Sequence, residues 1–352
     1  MPRHYLLFVS LAYAYEILRP LEKEIRRRGD VAAWYIEPEC EDMLQAGELR
    51  LKTFGEVRRF APEAVFVAGN DVYDFFPGIK VQLFHGYPIT KRANKPLNHY
   101  RIRNWFDIYC TQGPSSTVPF KKQEEKYGFF KVYETGWSKA DSLFSESVAE
   151  RKPHDVTTIL YATTFTRGIS SAWDMPAVIE RLAQEKNWNW KIILHPKIDD
   201  EQLIGRYRLL ASRFSNVEFL GKANGPDILR DSDAMLSDSS SIIVEYMFLG
   251  KPVVTYRNTN PGPYLIDLQD LKEVGPALEL ALSRPPALMK AIGEYTFYHE
   301  AHRDGRNCAR ILEAVDDFKA NYEGKIKRKP LNLVRKLKLR RRLAGWRLAG
   351  KL

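Results

Sequence analysis

Cysteine is scarce in this 352-residue chain: Cys40, Cys110 and Cys308 stand alone, with no CxxC or CxxxxH spacing. An odd, scattered set excludes a disulfide framework and a cysteine zinc site, and reads as the reduced thiols of a cytosolic protein. Long apolar runs are lacking too. No window approaches about 18 uninterrupted apolar residues, so no membrane-spanning helix is expected. The first residues, MPRHYLLFVSLAYAYEILRP, hold a short apolar run that meets Glu16 and show no clear cleavage site. They read as a first core strand rather than a signal peptide. There is no Walker loop and no GxGxxG after that strand, which argues against ATP and dinucleotide cofactors. The acidic pair Asp199-Asp200 reads as the start of a helix rather than a metal site, so neither metal nor cofactor is expected.

Negative charge is missing from the end of the chain. From Lys325 to Leu352 there are 12 Lys or Arg and no Asp or Glu, out of 54 basic and 44 acidic residues in all. The remainder carries 42 basic against 44 acidic residues, so the net charge of +10 belongs to the tail. After Pro330, Leu331, Val334, Leu337, Leu339, Leu343, Trp346 and Leu348 alternate with cations at roughly helical spacing. A basic amphipathic segment of this kind fits an anionic membrane surface better than a nucleic acid. On this reading the tail is separable, and a protein lacking it keeps its fold.

What is present in quantity is alternation of strands and helices. Short apolar runs (YLLFVS, VAAWYI, AVFVA, VQLF and DIYCTQ, then TTILYAT, WKIILHP, DAMLSD and PVVTY) read as buried parallel strands. Amphipathic helices fall between them, at 15–28 and 175–186 for example. The polar stretch Ser147 to Asp155 interrupts the pattern and a new strand follows it. The expected fold class is α/β: two doubly wound, Rossmann-like domains facing a cleft, plus a basic amphipathic C-terminal tail. The expected domains are an acceptor domain at 1–150, a nucleotide-donor domain with a closing helix at 151–322, and the tail at 323–352.

Ligands of such sheets sit at the carboxyl ends of the strands, and three strand ends carry chemistry. VQLF runs into His85-Gly86-Tyr87-Pro88, where an imidazole with an ordinary pKa near 6.5 suits a general base. A histidine bonded only to local backbone is the competing reading. WKIILHP leads to His195-Pro196-Lys197, a pair of cationic groups able to hold phosphate. The strand AMLSD hands over at Asp238 to Ser239, Ser240 and Ser241, then to a helix bearing Glu245. Three small hydroxyl residues leave helix N–H groups open to an anion, and Glu245 suits a ribose diol. One serine would be enough for an ordinary cap.

These stretches together resemble the CDP-glycerol:poly(glycerophosphate) glycerophosphotransferase family of teichoic-acid primases and polymerases. FHGYPITK is similar to its His-Gly-x-Pro loop, and TGWSKADSLF matches a second segment at Gly136, Trp137 and Asp141. LYATT, containing Thr163 and Thr164, resembles its LYAPT strand; SDSSSIIVEY resembles its SDYSSxxxDY, with Glu245 in place of Asp. Asp304, Gly305 and Arg310 are similar to its closing helix. The resemblance implies a GT-B fold and transfer of glycerol phosphate from CDP-glycerol, or a related CDP-alditol, to a hydroxyl on a lipid-linked or glycan acceptor, releasing CMP. It implies His85 as the base and His195, Ser240 and Ser241 as donor-phosphate ligands, with Lys197 and Ser239 beside them. Gly86, Gly136, Thr163, Thr164 and Asp238 are supporting candidates. A cytoplasmic protein lying peripherally on the inner face of the plasma membrane follows from the acceptor and the tail. The alternatives are a GT-B glycosyltransferase using a CMP-sugar of Kdo or sialic acid type, a nonenzymatic membrane-recruited scaffold, and a nucleic-acid binder.

Overall fold

A computed structural model describes residues 1–87, 100–144, 156–221 and 225–348, with the backbone alone from 344 onward. The described chain forms two units: 1–87, 100–144 and 298–348 in the first, 156–221 and 225–297 in the second. The interruption expected at Ser147 to Asp155 lies outside the described residues.

In unit 1 the elements follow as β1 (His4–Val9), α1 (Ala14–Arg27), β2 (Val31–Ile36), α2 (Phe54–Phe60), β3 (Ala64–Val67), β4 (Ile79–Gln82), β5 (Ile108–Thr111), α3 (Pro114–Tyr127) and β6 (Lys131–Glu134). The strands form one parallel sheet in the order β2-β1-β3-β4-β5-β6. A parallel sheet covered on both faces needs apolar residues on successive positions, and β1, β3 and β5 supply them. One face packs Tyr15, Leu18, Leu21 and Ile25 of α1 against Tyr5, Leu7 and Phe66. The other is an aromatic core of Phe8, Tyr35, Tyr73, Phe76, Tyr109 and Phe120. Burying each such side chain contributes about 1.5–3 kcal/mol.

Unit 2 contains β7 (Thr158–Ala162), α4 (Met175–Glu185), β8 (Asn189–Ile193), α5 (Glu201–Arg213), β9 (Val217–Gly221), α6 (Pro226–Arg230), β10 (Ala234–Ser237), α7 (Ile242–Phe248), β11 (Val253–Tyr256), β12 (Ile266–Leu268), α8 (Val274–Leu282) and most of α9 (Pro286–His299). Its parallel sheet runs β12-β11-β10-β7-β8-β9. That order reverses between β7 and β10, so their carboxyl ends form a topological switch point, where doubly wound sheets bind ligands. Asp200 caps α5 through the Leu203 N–H at 3.1 Å, as the sequence suggested.

Two expected boundaries are corrected. The closing helix α10 (Asn307–Asn321) packs in unit 1, not with the donor domain: Cys308, Ile311, Leu312, Val315 and Phe318 join the α1 face of the core. The tail is not a free arm either. Its helix α11 (Leu333–Leu348) buries Leu339 and Leu343 in the aromatic core of unit 1. Lys329 pairs with Asp107 at 2.7 Å, Arg340 with Asp74 at 3.0 Å and Arg342 with Glu37 at 2.9 Å. The tail reads as separable in the sequence because its acidic partners are spread over three separate loops and strand ends of unit 1. Leu331, Leu333, Val334 and Leu337 remain exposed, and the Trp346 side chain lies outside the described part.

Candidate functional site

In unit 1, His85 stands three residues past β4. Phe84, just before it, holds a left-handed φ of 60° although it is bulky and buried, a strain of order 1–3 kcal/mol that its surroundings must hold in place. The turn delivers His85 to the switch point of this sheet, between β1 and β3. Tyr13, beyond β1, stacks on the imidazole at 5.2 Å, and the Ala68 carbonyl, beyond β3, is hydrogen-bonded to it. Partial burial lowers the His85 pKa below the ordinary value, the carbonyl opposing this and Arg103 adding to it. A neutral imidazole whose one N–H is engaged by a carbonyl presents its other nitrogen as a proton acceptor. The backbone bond is therefore compatible with a base at this position. Gly86 is fastened by Gln112 Nε2, which donates to its carbonyl at 3.1 Å. Pro88 lies outside the described residues.

Gly136 and Asp141 lie beyond β6 and act on the frame of unit 1. Gly136 has φ 77°, and a Cβ there would collide with the side chains of Asn307 and Glu300. Asp141 accepts the N–H groups of Asn307 at 2.8 Å and Cys308 at 2.7 Å, capping α10. Asp304 and Arg310 pair with each other at 2.5 Å. The residues that sequence reasoning missed are Glu300, Asn307 and Gln112. None sits in a recognisable pattern, and Glu300 and Asn307 act across long stretches of chain.

In unit 2, three of the expected segments come together. β10, β7 and β8 are neighbours, so the loops after them share one edge. Asp238, wholly buried, accepts the Thr164 N–H at 2.9 Å, the Ser171 N–H at 2.9 Å and the Ser171 hydroxyl at 3.1 Å. Burial raises its pKa to about 6 against these bonds and one from the Ser239 N–H. Asp238 is therefore the brace between the β7 and β10 loops. Thr163 Oγ1 is buried in the same edge and has no partner among the described residues. The His195 ring lies 4.5 Å from that of Phe165, and its Nδ1 accepts the Lys197 N–H at 3.1 Å, which leaves Nε2 as the donor. The Lys197 ammonium lies 5.0 Å from the Phe165 ring.

The serines are arranged differently from expectation. Ser239 is taken up locally, its Oγ accepting the Thr259 N–H at 2.9 Å. Ser241 occupies the N-cap position of α7, but its side chain makes no cap bond. That helix has seven residues, so its dipole is small, and hydroxyls rather than the dipole are what this turn offers. Glu245 lies in its first turn, half-buried. A cavity of about 360 Å³, lined by Arg167, Ser170, Ser171, Trp173, Tyr256 and Arg257 among others, opens beside the braced loop. Among the described residues no group of three or more His, Cys, Asp or Glu could hold a metal ion, and no helix is long and apolar enough to cross a membrane.

Both units have relatives of known structure. The chain superposes on a putative UDP-N-acetylglucosamine 2-epimerase from Listeria monocytogenes with a TM-score of 0.62 at 14% identity, covering 91% of this chain and 97% of that one. It superposes on the wall teichoic acid polymerase TagF with a TM-score of 0.61 at 15% identity, covering 92% and 90%. These likenesses establish the GT-B type of fold. By sequence, the UDP-N-acetylglucosamine 2-epimerase of Escherichia coli (strain K12) is 34% identical over 84 residues, 23% of this chain and 22% of that protein. The match thus spans about a fifth of that relative's length. The sequence model of CDP-Glycerol:Poly(glycerophosphate) glycerophosphotransferase matches residues 78–260, more than half of the chain, from β4 through the loop after β11. The chain belongs to the CDP-glycerol:poly(glycerophosphate) glycerophosphotransferase family.

Proposed function

We propose that the protein transfers glycerol phosphate, or a related alditol phosphate, from a CDP-alditol to a hydroxyl of a lipid-linked or glycan acceptor of the cell envelope. The observation that carries the donor assignment is the shared edge of β10, β7 and β8, which gathers His195, Lys197, Thr163 and the serine turn around the braced Asp238. His195, Lys197, Ser240 and Ser241 hold the diphosphate, Ser239 keeps the turn in shape, and Glu245 takes the ribose. His85 of unit 1 removes the acceptor proton as the acceptor oxygen attacks the phosphorus bearing the alditol. The bond from that phosphorus to the bridging oxygen breaks, and CMP leaves with the electron pair. Such phosphoryl transfer depends on positioning and on charge stabilisation more than on covalent chemistry by the protein.

The protein works, on this reading, at the inner face of the plasma membrane. The exposed Leu331, Leu333, Val334 and Leu337 on a tail without acidic residues suit an anionic lipid surface, held there by a helix already docked on unit 1. The test is CMP release from a panel of CDP-alditols, with a CMP-sugar and UDP-N-acetylglucosamine as competing donors. His85→Ala is expected to lower release by about 10²–10⁴-fold while CMP affinity is kept. Release from the CMP-sugar alone, or turnover of UDP-N-acetylglucosamine alone, would replace this reading with a glycosyltransferase or an epimerase.

A further inference from the structure

The most deeply buried carboxyl of unit 1 has no place in the chemistry above. Glu300 directly follows α9, is wholly shielded from solvent, and receives several donors. The Tyr87 hydroxyl donates to Oε2 at 2.8 Å and the Asn307 Nδ2 to Oε1 at 3.2 Å. The Trp137 N–H reaches both oxygens, at 3.1 and 3.3 Å. The backbone makes room for it: at Gly136, with φ 77°, any Cβ would collide with the Glu300 carboxyl. A polar group is costly to bury unless its bonds are satisfied, and here a strand end is shaped to satisfy them.

Two of those donors grip the loop of the base from either side. Tyr87 is two residues past His85, with its ring edge-on to Trp137 at 5.1 Å. Trp137 in turn donates its indole N–H to the Phe84 carbonyl at 3.4 Å, one residue before His85. Phe84 is the strained residue of the turn. A strained loop keeps its shape only if its neighbours over-determine it, and a catalytic group must be held within about 0.5 Å of its working position. We propose that Glu300 is a positioning residue for His85, acting through Tyr87 and Trp137, which clamp the loop on both sides of the imidazole. This rests on the assignment of His85 as the base.

The test uses the full chain and three variants: Tyr87→Phe, Glu300→Ala and Glu300→Gln. Three quantities are measured: the titration of the His85 imidazole by NMR, identified by its loss in His85→Ala; CMP affinity by calorimetry; and CMP release with the best donor. Tyr87→Phe and Glu300→Ala are expected to lower release by about 10–100-fold. CMP affinity should stay unchanged, since the donor is assigned to unit 2. The His85 titration should move up toward the ordinary imidazole value as the loop loosens. Glu300→Gln keeps the shape and most of the bonds, and should recover most of what Glu300→Ala loses. If Glu300→Ala does not fold, Tyr87→Phe decides, because it deletes one oxygen atom. A folded Tyr87→Phe protein with the wild-type His85 titration overturns the proposal, even if its melting temperature falls. If the wild type releases CMP from no donor, the functional reading fails, while the NMR titration still tests the clamp.

Discussion

The two units build the same kind of edge from different sources. Among the described residues, each has a six-stranded parallel sheet, a switch point at its carboxyl edge, and one wholly buried carboxyl that organises the loops there. In unit 2 that carboxyl is Asp238, which sits on the edge it braces, in the residue after β10. In unit 1 it is Glu300, which returns from the far side of unit 2 in sequence, 163 residues beyond Trp137. Burial is the leading cause in both, raising Asp238 to about 6 and Glu300 to about 8. Asp238 accepts three backbone N–H bonds and a hydroxyl, all of which favour its charged form; Glu300 has fewer, and Asp141 nearby pushes it further up. At pH 7 the first is therefore mostly ionised and the second mostly protonated. Unit 2 contains its own frame, whereas unit 1 is completed by the end of the chain.

Removing residues 325–352 breaks that comparison most severely. It strips Leu339 and Leu343 out of the aromatic core of unit 1 and takes nothing from the core of unit 2. Each Leu→Ala change alone would cost roughly 2–5 kcal/mol, so the truncated protein should show a loosened unit 1 by hydrogen exchange and an intact CMP site. Equal protection in both proteins would mean that the tail docks without supporting the core. Asp238→Ala is the corresponding break in unit 2. It leaves the Thr164 and Ser171 N–H groups without their partner, at about 1–3 kcal/mol for each unsatisfied donor. CMP affinity should collapse while the His85 titration stays fixed; retention of both would remove Asp238 from the site. Ser240→Ala with Ser241→Ala is milder. CMP binding should weaken by roughly 1.5–3 kcal/mol for each bond lost to a charged phosphate, and calorimetry showing unchanged affinity would leave those hydroxyls without a role.

The same contrast explains what could be read from the sequence. Strands β1 to β5, β7, β8, β10 and β11 are central or well covered, and each lies in or overlaps a short, mainly apolar stretch, with β4 (IKVQ) the least apolar. β6, β9 and β12 were missed. All three form open edges, where the half-exposed Lys131 and Asp267 and the exposed Glu218 break the run. The serine turn, His85 and His195 were legible because each follows directly on its own strand. Glu300, Asn307 and Gln112 were not, since their partners lie in other segments and no spacing links them. The tail's separability was misread for a related reason: composition reports charge, but not the distant Glu37, Asp74 and Asp107 that pair with some of its cations.

The smallest expected effect is a slope in stability with pH, and it separates the two carboxyls. Glu300 is raised from an ordinary 4.5 to about 8, so between those values the folded protein holds a proton that the unfolded chain has released. Its contribution is full below pH 4.5 and is lost as pH rises through 8. Asp238, raised from 3.8 to about 6, loses its contribution lower, by about pH 6. His299, lowered from 6.5 to about 4 by burial, works in the opposite sense and is finished by pH 6.5. Lys80, lowered from 10.5 to about 8 by burial, begins to add stability only above pH 8. Between pH 6.5 and 8, Glu300 should therefore dominate this set, making the protein less stable by about 1–2 kcal/mol across the window. Urea unfolding at both pH values, followed by a probe in unit 1, measures the loss. Glu300→Gln cannot titrate and should remove most of it, whereas Asp238→Asn should leave it in place and flatten the curve below pH 6. An equal slope in Glu300→Gln and the wild type would show that Glu300 is ionised throughout, and the two buried carboxyls would then share one charge state.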